Sequence, residues 1–207
     1  IYMYTEAFGR ASYLVSRSRG KKSTVSKALF IPLSVLEMEV EHLNKRDLHR
    51  IKETRICFPL NDVCCDPVKN VLALFLSEVL FRGVKDTEPD PRLFDYLYES
   101  IHLLEYADKG IANFHMVFLL GLLHHLGIFP NMESHRVGYY FDMLNGVFTD
   151  HIPMHRHYLN KVESAFFSRL LRISFENMSL YGFSRQERAR IIHRILEYYR
   201  LHLPDFP

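Results

Sequence analysis

Six cations gather in or beside one short stretch of this 207-residue chain: Arg10, Arg17, Arg19, Lys21, Lys22 and Lys27. No Asp or Glu occurs between Glu6 and Glu37. Ser16, Ser18, Gly20, Ser23, Thr24 and Ser26 are interleaved with the cations. The chemistry open to such a stretch is anion binding. Lys and Arg neutralise phosphates and release counterions, while hydroxyls and accessible amides donate hydrogen bonds to phosphate oxygens. A solvated surface loop carries similar charge, so composition alone leaves both readings open. Arg50 and Lys52 would extend the same face if strand geometry allows. A second cationic run, Arg185, Arg188, Arg190 and Arg194, is the other place where a phosphate backbone would find charge.

No covalent chemistry is legible. The chain contains no G-x-G-x-x-G, P-loop, G-x-S-x-G or H-E-x-x-H pattern. His151, His155 and His157 fall within seven residues and could supply part of a zinc site, with Asp142 or Asp150 completing it. No Cys lies near them, a polar loop is the simpler reading, and no metal or other cofactor is expected. His124 and His125 read as helix cap or packing. Cys57, Cys64 and Cys65 are odd in number and not at C-x-x-C spacing, so they read as unpaired thiols of a reducing compartment, buried as small hydrophobes.

The elements that must position these residues change character at Pro59. Before it, Ile1–Thr5, Ala11–Ser16, Leu29–His42 and Leu48–Cys57 read as strands, rich in β-branched and aromatic residues or alternating in polarity. Glu6–Gly9 and Asn44–Asp47 are the turns, with Gly9 free to take positive φ. Pro32 suggests an edge or a bulge in the third strand. Tyr13 reads as core, with base stacking as the functional alternative. Strands with no helix between them suggest a small antiparallel barrel or sandwich.

After Pro59 the period is helical. Asp66-Pro67 and Asp90-Pro91 are start signals, an N-cap followed by Pro at the first helical position. The first helix carries Val68, Val71, Leu72, Phe75, Val79 and Leu80 as its apolar face. The second carries Leu93, Leu97, Ile101 and Leu104. Ile111–Leu126 is apolar on most sides and reads as the central helix of a bundle, ended by Gly127. Gly138–His157 breaks the pattern as a small hairpin or irregular insert. Asn160–Leu180 is helical again, with Gly182 as its C-cap residue. Ser184 to Glu187 fits a capping box that opens the last helix.

Charge is divided along the same line. Residues 1–58 hold eleven Lys/Arg against six Asp/Glu, a net +5, and the remainder is −3. A hydrophobic content of 48% supports a substantial core and excludes disorder. Phe114–Leu126 is too short to span a bilayer, so no membrane association is expected.

The stretch YTEAFGRASYLVSRSRGKKSTVSKALFIPLSVLEMEVE resembles the N-terminal part of the RecO family of bacterial recombination mediators. The positions that carry the likeness are Thr5, Glu6, Gly9, Arg10, Arg17, Arg19, Lys22, Leu29, Pro32, Leu33 and Leu36. LLGLLHHLGIFPN (Leu119–Asn131) and FDMLNGVF (Phe141–Phe148) extend it. The resemblance implies an α+β, mainly α, fold. An OB-fold-like barrel would occupy 1–58, its first strand preceding Ile1. A helical domain over 59–207 would carry the insert near 138–157. It implies a cytoplasmic, nucleoid-associated protein that is not an enzyme. Such a protein binds single- and double-stranded DNA, anneals complementary strands and, together with RecR, helps load RecA onto coated single strands. It also binds the acidic, apolar C-terminal tail of single-strand-binding protein.

Two departures are visible. The four-cysteine zinc module of many relatives has no counterpart between Tyr139 and Tyr158. The central helix has Met116 and Val117 where some relatives place Arg to meet the acidic tail. The nucleic-acid-binding residues expected are Arg10, Arg17, Arg19, Lys21, Lys22, Lys27, Arg50 and Lys52. The alternative from another class is a protein-interaction scaffold whose basic loop binds an acidic protein partner.

Overall fold

A computed structural model describes residues 1–15, 27–42 and 46–207. The chain mixes helices and sheets and divides into two compact units, Ile1–Ala107 and Asp108–Pro207. The strand-to-helix change near Pro59 and the division between units are thus different boundaries. The three helices that follow Pro59 belong with the first sheet.

In the first unit, β1 (Tyr2–Thr5) and β2 (Gly9–Leu14) form an antiparallel hairpin with Thr5 opposite Gly9. Thr5 Oγ1 closes the turn, donating to the Gly9 carbonyl and accepting from Phe8 N–H, each at 3.0 Å. Gly9 takes φ +57°, and a Cβ there would lie 2.4 Å from the Glu88 carbonyl oxygen. Only glycine satisfies both demands. β3 (Leu36–Glu41) pairs antiparallel with β4 (Leu48–Ile56), and the register shifts between Glu39 and Val40. The sheet order is β1-β2-β4-β3.

Two expectations are corrected here. The third strand begins at Leu36, not Leu29. Lys27–Leu29 is a single 3₁₀ turn, and the chain turns again at Pro32-Leu33, where Leu33 takes φ 63° and Ser34 N–H bonds the Ile31 carbonyl. Pro32 therefore sits ahead of the strand, where its missing N–H costs no ladder bond. The sheet is also not wholly antiparallel, because β2 runs parallel to β4. Among the described residues the four strands form an open sheet with β1 and β3 at its edges, not a closed barrel.

α1 (Asn61–Cys65), α2 (Pro67–Gly83) and α3 (Pro91–Tyr106) complete this unit. The Asp66 and Asp90 carboxylates accept from the backbone N–H groups that open α2 and α3, as the Asp-Pro signals predicted. α3 buries Leu93, Leu97, Ile101 and Leu104. On α2 the buried face runs through Leu72, Leu76 and Val79, whereas Val68 and Val71 are exposed, contrary to the predicted face. α1 is too short to show a period. Its opening amides, Asp62 and Val63, donate at 2.9 and 3.0 Å to the buried Glu105 carboxylate. Buried Lys69 closes the arrangement by donating to the Glu105 carbonyl at 2.5 Å, with Asp62 at 3.4 Å. The inner face of the sheet meets α2 and α3 around an apolar cleft of about 620 Å³, lined by Tyr4, Phe8, Met38, Leu80 and Phe94 among others.

In the second unit, α4 (Phe114–His125) buries most of its residues and ends at Gly127, φ +69°. A small sheet follows: β5 (Tyr140–Asp142) between β6 (Val147–Thr149) and β7 (Tyr158–Leu159). The predicted hairpin is β5–β6. α5 (Lys161–Leu170) is shorter than the predicted 160–180 helix. Beyond Arg172, Asn177 competes for the backbone: its Oδ1 accepts from Ser174 N–H and its Nδ2 donates to the Arg172 carbonyl. A 3₁₀ turn at Met178–Leu180 follows, so Gly182 caps no α-helix. α6 (Arg185–His202) opens with the Ser184–Glu187 capping box, and α5 opens with an equivalent Asn160–Glu163 pair. Buried Tyr198 and Tyr199 tie α6 to the Ile128 and Leu119 carbonyls at 3.0 and 2.7 Å. Among the described residues no helix is long and apolar enough to cross a membrane.

Candidate nucleic-acid interface

The expected phosphate-binding residues separate into three groups. Arg10 lies on β2, and its side chain turns toward the end of α2. Nη1 donates to the carbonyls of Phe81 and Val84, each at 3.0 Å. Its guanidinium carbon sits 5.1 and 4.9 Å from the ring centroids of Tyr2 and Phe81. A helix leaves its last carbonyls without intrahelical donors, and a cation there also meets the negative end of the helix dipole. Arg10 supplies both, so its role here is to fasten the hairpin to α2.

Lys52 and Arg55 project from β4 beside Glu39 and Glu37 of β3. Lys52 Nζ lies 3.2 Å from Glu39 Oε1, and Arg55 Nε 2.9 Å from Glu37 Oε2. The Arg55 pairing holds the Glu37 carboxyl below the usual carboxylate range. These pairs are exposed and contribute little stability. Their consequence is electrostatic: a strand face with alternating acid and base attracts a phosphate backbone weakly.

At the other end of the sheet Arg50 is flanked by Glu41 of β3 on one side and by β2 on the other. The parallel β2–β4 register sets Leu14 beside Arg50. A shallow depression there is lined by Leu14, Arg46, Asp47, Leu48 and Arg50. The chain leaves β2 at this point and runs directly into the basic stretch. Arg17, Arg19, Lys21 and Lys22 lie outside the described residues, and the Lys27 backbone opens the 3₁₀ turn after them. Arg46 is the cation that sequence reading missed as a neighbour of Arg50. Its place in sequence reads as a turn, and the parallel pairing brings Arg46 beside the end of β2.

Tyr13 is 1% exposed and offers no surface to a base. It belongs to a row of rings in which Tyr13 and His49 are buried and Phe8 and His42 half-buried. Phe8 stacks on His42 at 3.8 Å, His42 on His49 at 3.9 Å, and Tyr13 lies 5.8 Å from His49. Burial, and then the neighbouring His42, push the His49 imidazole below its ordinary pKa.

The histidine triplet does not converge. His151 meets Asp150 at 3.0 Å, His155 meets Asp142 at 3.2 Å, and His157 meets Glu197 at 3.4 Å. Burial raises the Asp142 carboxyl, but hydrogen bonds from Asn145 and the charge of His155 bring it below its ordinary value. Each imidazole thus has its own carboxylate, a pattern of structural pairs. Cys57, Cys64 and Cys65 are exposed free thiols, not the buried residues expected.

On α6 the arginines divide as well. Arg194 is held by Glu197 at 2.9 Å and Glu163 at 3.4 Å. Arg188 donates to the Phe183 carbonyl. Arg185 and Arg190 are exposed and form no ion pair among the described residues.

Residues 65–207 match the family described as Recombination protein O C terminal. A protein named DNA repair protein RecO from Bacteroides fragilis is 44% identical over 208 residues, covering all of this chain and 86% of that protein. The one from Azobacteroides pseudotrichonymphae is 40% identical over 206 residues, again spanning the whole chain and 86% of the relative. That of Porphyromonas gingivalis is 38% identical over 210 residues, with the same coverage.

Proposed function

This chain belongs to the RecO family, and on that premise we propose that it is a non-catalytic, cytoplasmic DNA-binding mediator of recombinational repair. DNA is gripped at the end of the first sheet, where the basic stretch leaves β2. Arg17, Arg19, Lys21, Lys22, Lys27 and Arg50 contact phosphates, and Arg46 lies beside them. Arg10 fastens the hairpin to α2 instead, and Lys52 is paired with Glu39. The observation that carries this reading is the parallel β2–β4 register, which sets Leu14 against Arg50. It supports joining the cations of two distant sequence segments into one basic edge, while acid–base pairs neutralise the β3–β4 face.

The strands before Pro59 then serve as the DNA-binding part and the helical residues 59–207 as a docking platform. RecR and the C-terminal tail of single-strand-binding protein are the partners we propose for that platform. Strand annealing and RecA loading follow as the joint outcome of holding DNA and partner together. Backbone contacts of this kind give little sequence specificity.

Reversal of Lys21 and Lys22 to Glu is the test. If about four cations meet phosphates on a single strand, log affinity falls with log salt with a slope of about −3. The double reversal should flatten that slope by roughly one to two units and weaken binding to all sequences alike. Annealing should fall with it, and docking to single-strand-binding protein should persist. Unchanged affinity and unchanged slope in a folded double mutant would move the DNA surface elsewhere.

A further inference from the structure

One surface of the second unit joins the exposed Phe166 ring and the half-buried Tyr181 and Phe183 rings to cations that form no ion pair among the described residues. Along α5, Val162, Phe166 and Arg169 stand at i, i+4 and i+7, all exposed on one stripe. The Phe166 ring meets Phe183 at 5.9 Å in an edge-on contact, and Phe183 lies 5.4 Å from Tyr181. Arg188 is fastened to this row through the Phe183 carbonyl. Arg185, two residues beyond Phe183, is exposed. The neighbouring carboxylates are already engaged: Glu187 accepts from Ser184 N–H in the capping box, and Glu163 holds Asn160 N–H and Arg194. Glu187 keeps its charge and Glu163 is matched by Arg194, so Arg169, Arg185 and Arg188 leave the local balance cationic around these rings.

We propose that this surface is a second contact for single-stranded nucleic acid, with bases stacking on Phe166 and Tyr181 and phosphates meeting Arg169, Arg185 and Arg188. Stacking suits a single strand because only unpaired bases offer their faces, and every base has one. Arginine suits it twice, neutralising phosphate and stacking its planar guanidinium on a base. An acidic peptide would satisfy the cations but leave the row of rings without a matching set of planes. The proposal rests on the DNA-binding reading above and extends it: one molecule then has two contact surfaces, one in each compact unit.

The experiment uses the full chain and a thirty-nucleotide oligothymidylate carrying 5-iododeoxyuridine. Photo-crosslinking followed by peptide mapping should place adducts between Lys161 and Arg188 as well as in the first unit. Phe166→Ala should weaken binding roughly tenfold, the effect of losing one stacked base, and narrow the gap between the oligonucleotide and an abasic strand of equal length. Arg169→Glu with Arg185→Glu should flatten the salt slope by about one to two units. Circular dichroism confirms the fold of each variant.

If wild-type protein binds the strand but adducts stay outside 161–188, or both variants bind as wild type does, the second contact is wrong and the first stands. If wild-type protein binds no DNA, both readings fail. A synthetic acidic, apolar peptide is the remaining arm. Variants that lose the peptide while keeping DNA affinity assign the surface to a protein partner and overturn the proposal.

Discussion

Truncating Arg10 tests whether a cation that looks like a phosphate ligand is in fact a bolt. Arg10→Ala removes two charge-assisted hydrogen bonds to the Phe81 and Val84 carbonyls. It also removes the guanidinium from over the Tyr2 and Phe81 rings. Bonds from charged donors are worth about 1.5–3 kcal/mol each, but the one to Phe81 is exposed and counts for less. Each ring contact adds about 0.5–1 kcal/mol at partly exposed sites. These contributions overlap, so a net loss of about 2–3 kcal/mol is expected. Urea unfolding followed by circular dichroism measures it. With a slope of about 2 kcal/mol per molar, the midpoint falls by roughly 1–1.5 M. Arg10→Lys should recover only part of this, because one ammonium lacks the planar stacking surface of the guanidinium. The DNA salt slope of Arg10→Ala should match wild type under conditions where the variant is folded. A variant of wild-type stability with a flattened salt slope would refute the reasoning and return Arg10 to the phosphate-binding set.

Three further outcomes are expected. Glu105→Ala should cost about 2–4 kcal/mol in denaturant unfolding, because it strands the part-buried Asp62 and buried Val63 amides, while Lys69 keeps the residue 105 carbonyl and Asp62; a loss under about 1 kcal/mol would mean that water replaces it. Gly9→Ala should destabilise by 2 kcal/mol or more and lower the soluble yield, since positive φ and the Glu88 carbonyl both oppose a Cβ. His115 is pushed down to about 4, first by burial and then by Arg188. Its unfolded form binds a proton near the ordinary value of 6.5, so the unfolded state holds more protons between those limits. Stability should therefore fall as pH drops from about 6.5 to 4, by at most about 3 kcal/mol, and His115→Phe should lessen that dependence in pH-resolved denaturation. An identical pH profile in the variant would exclude His115 as its source.

Much of this protein is written in local sequence. Asp66-Pro67, Asp90-Pro91 and the Ser184–Glu187 box start helices where they stand, because an N-cap needs only residues within one turn of itself. The apolar run of α4 and the glycines that end it and turn the first hairpin are equally local. What sequence could not decide was pairing and partnership. Nothing in the strand between Leu48 and Ile56 announces that it runs parallel to β2, because register is set by contacts between segments far apart in the chain. Charge by itself also does not say what a cation faces. Arg10 and Arg50 look alike in sequence, yet one caps a helix and the other lies where the basic stretch leaves the sheet. Phe166 lies in a stretch that reads as one helix over 160–180, yet α5 stops at Leu170, Asn177 turns the chain, and Phe183 comes back to meet the Phe166 ring. Local chemistry therefore determined the elements and supplied the cations that an anion could meet. Tertiary structure decided which cations remain available to it, because a side chain's charge is spent on whichever partner the fold brings nearest.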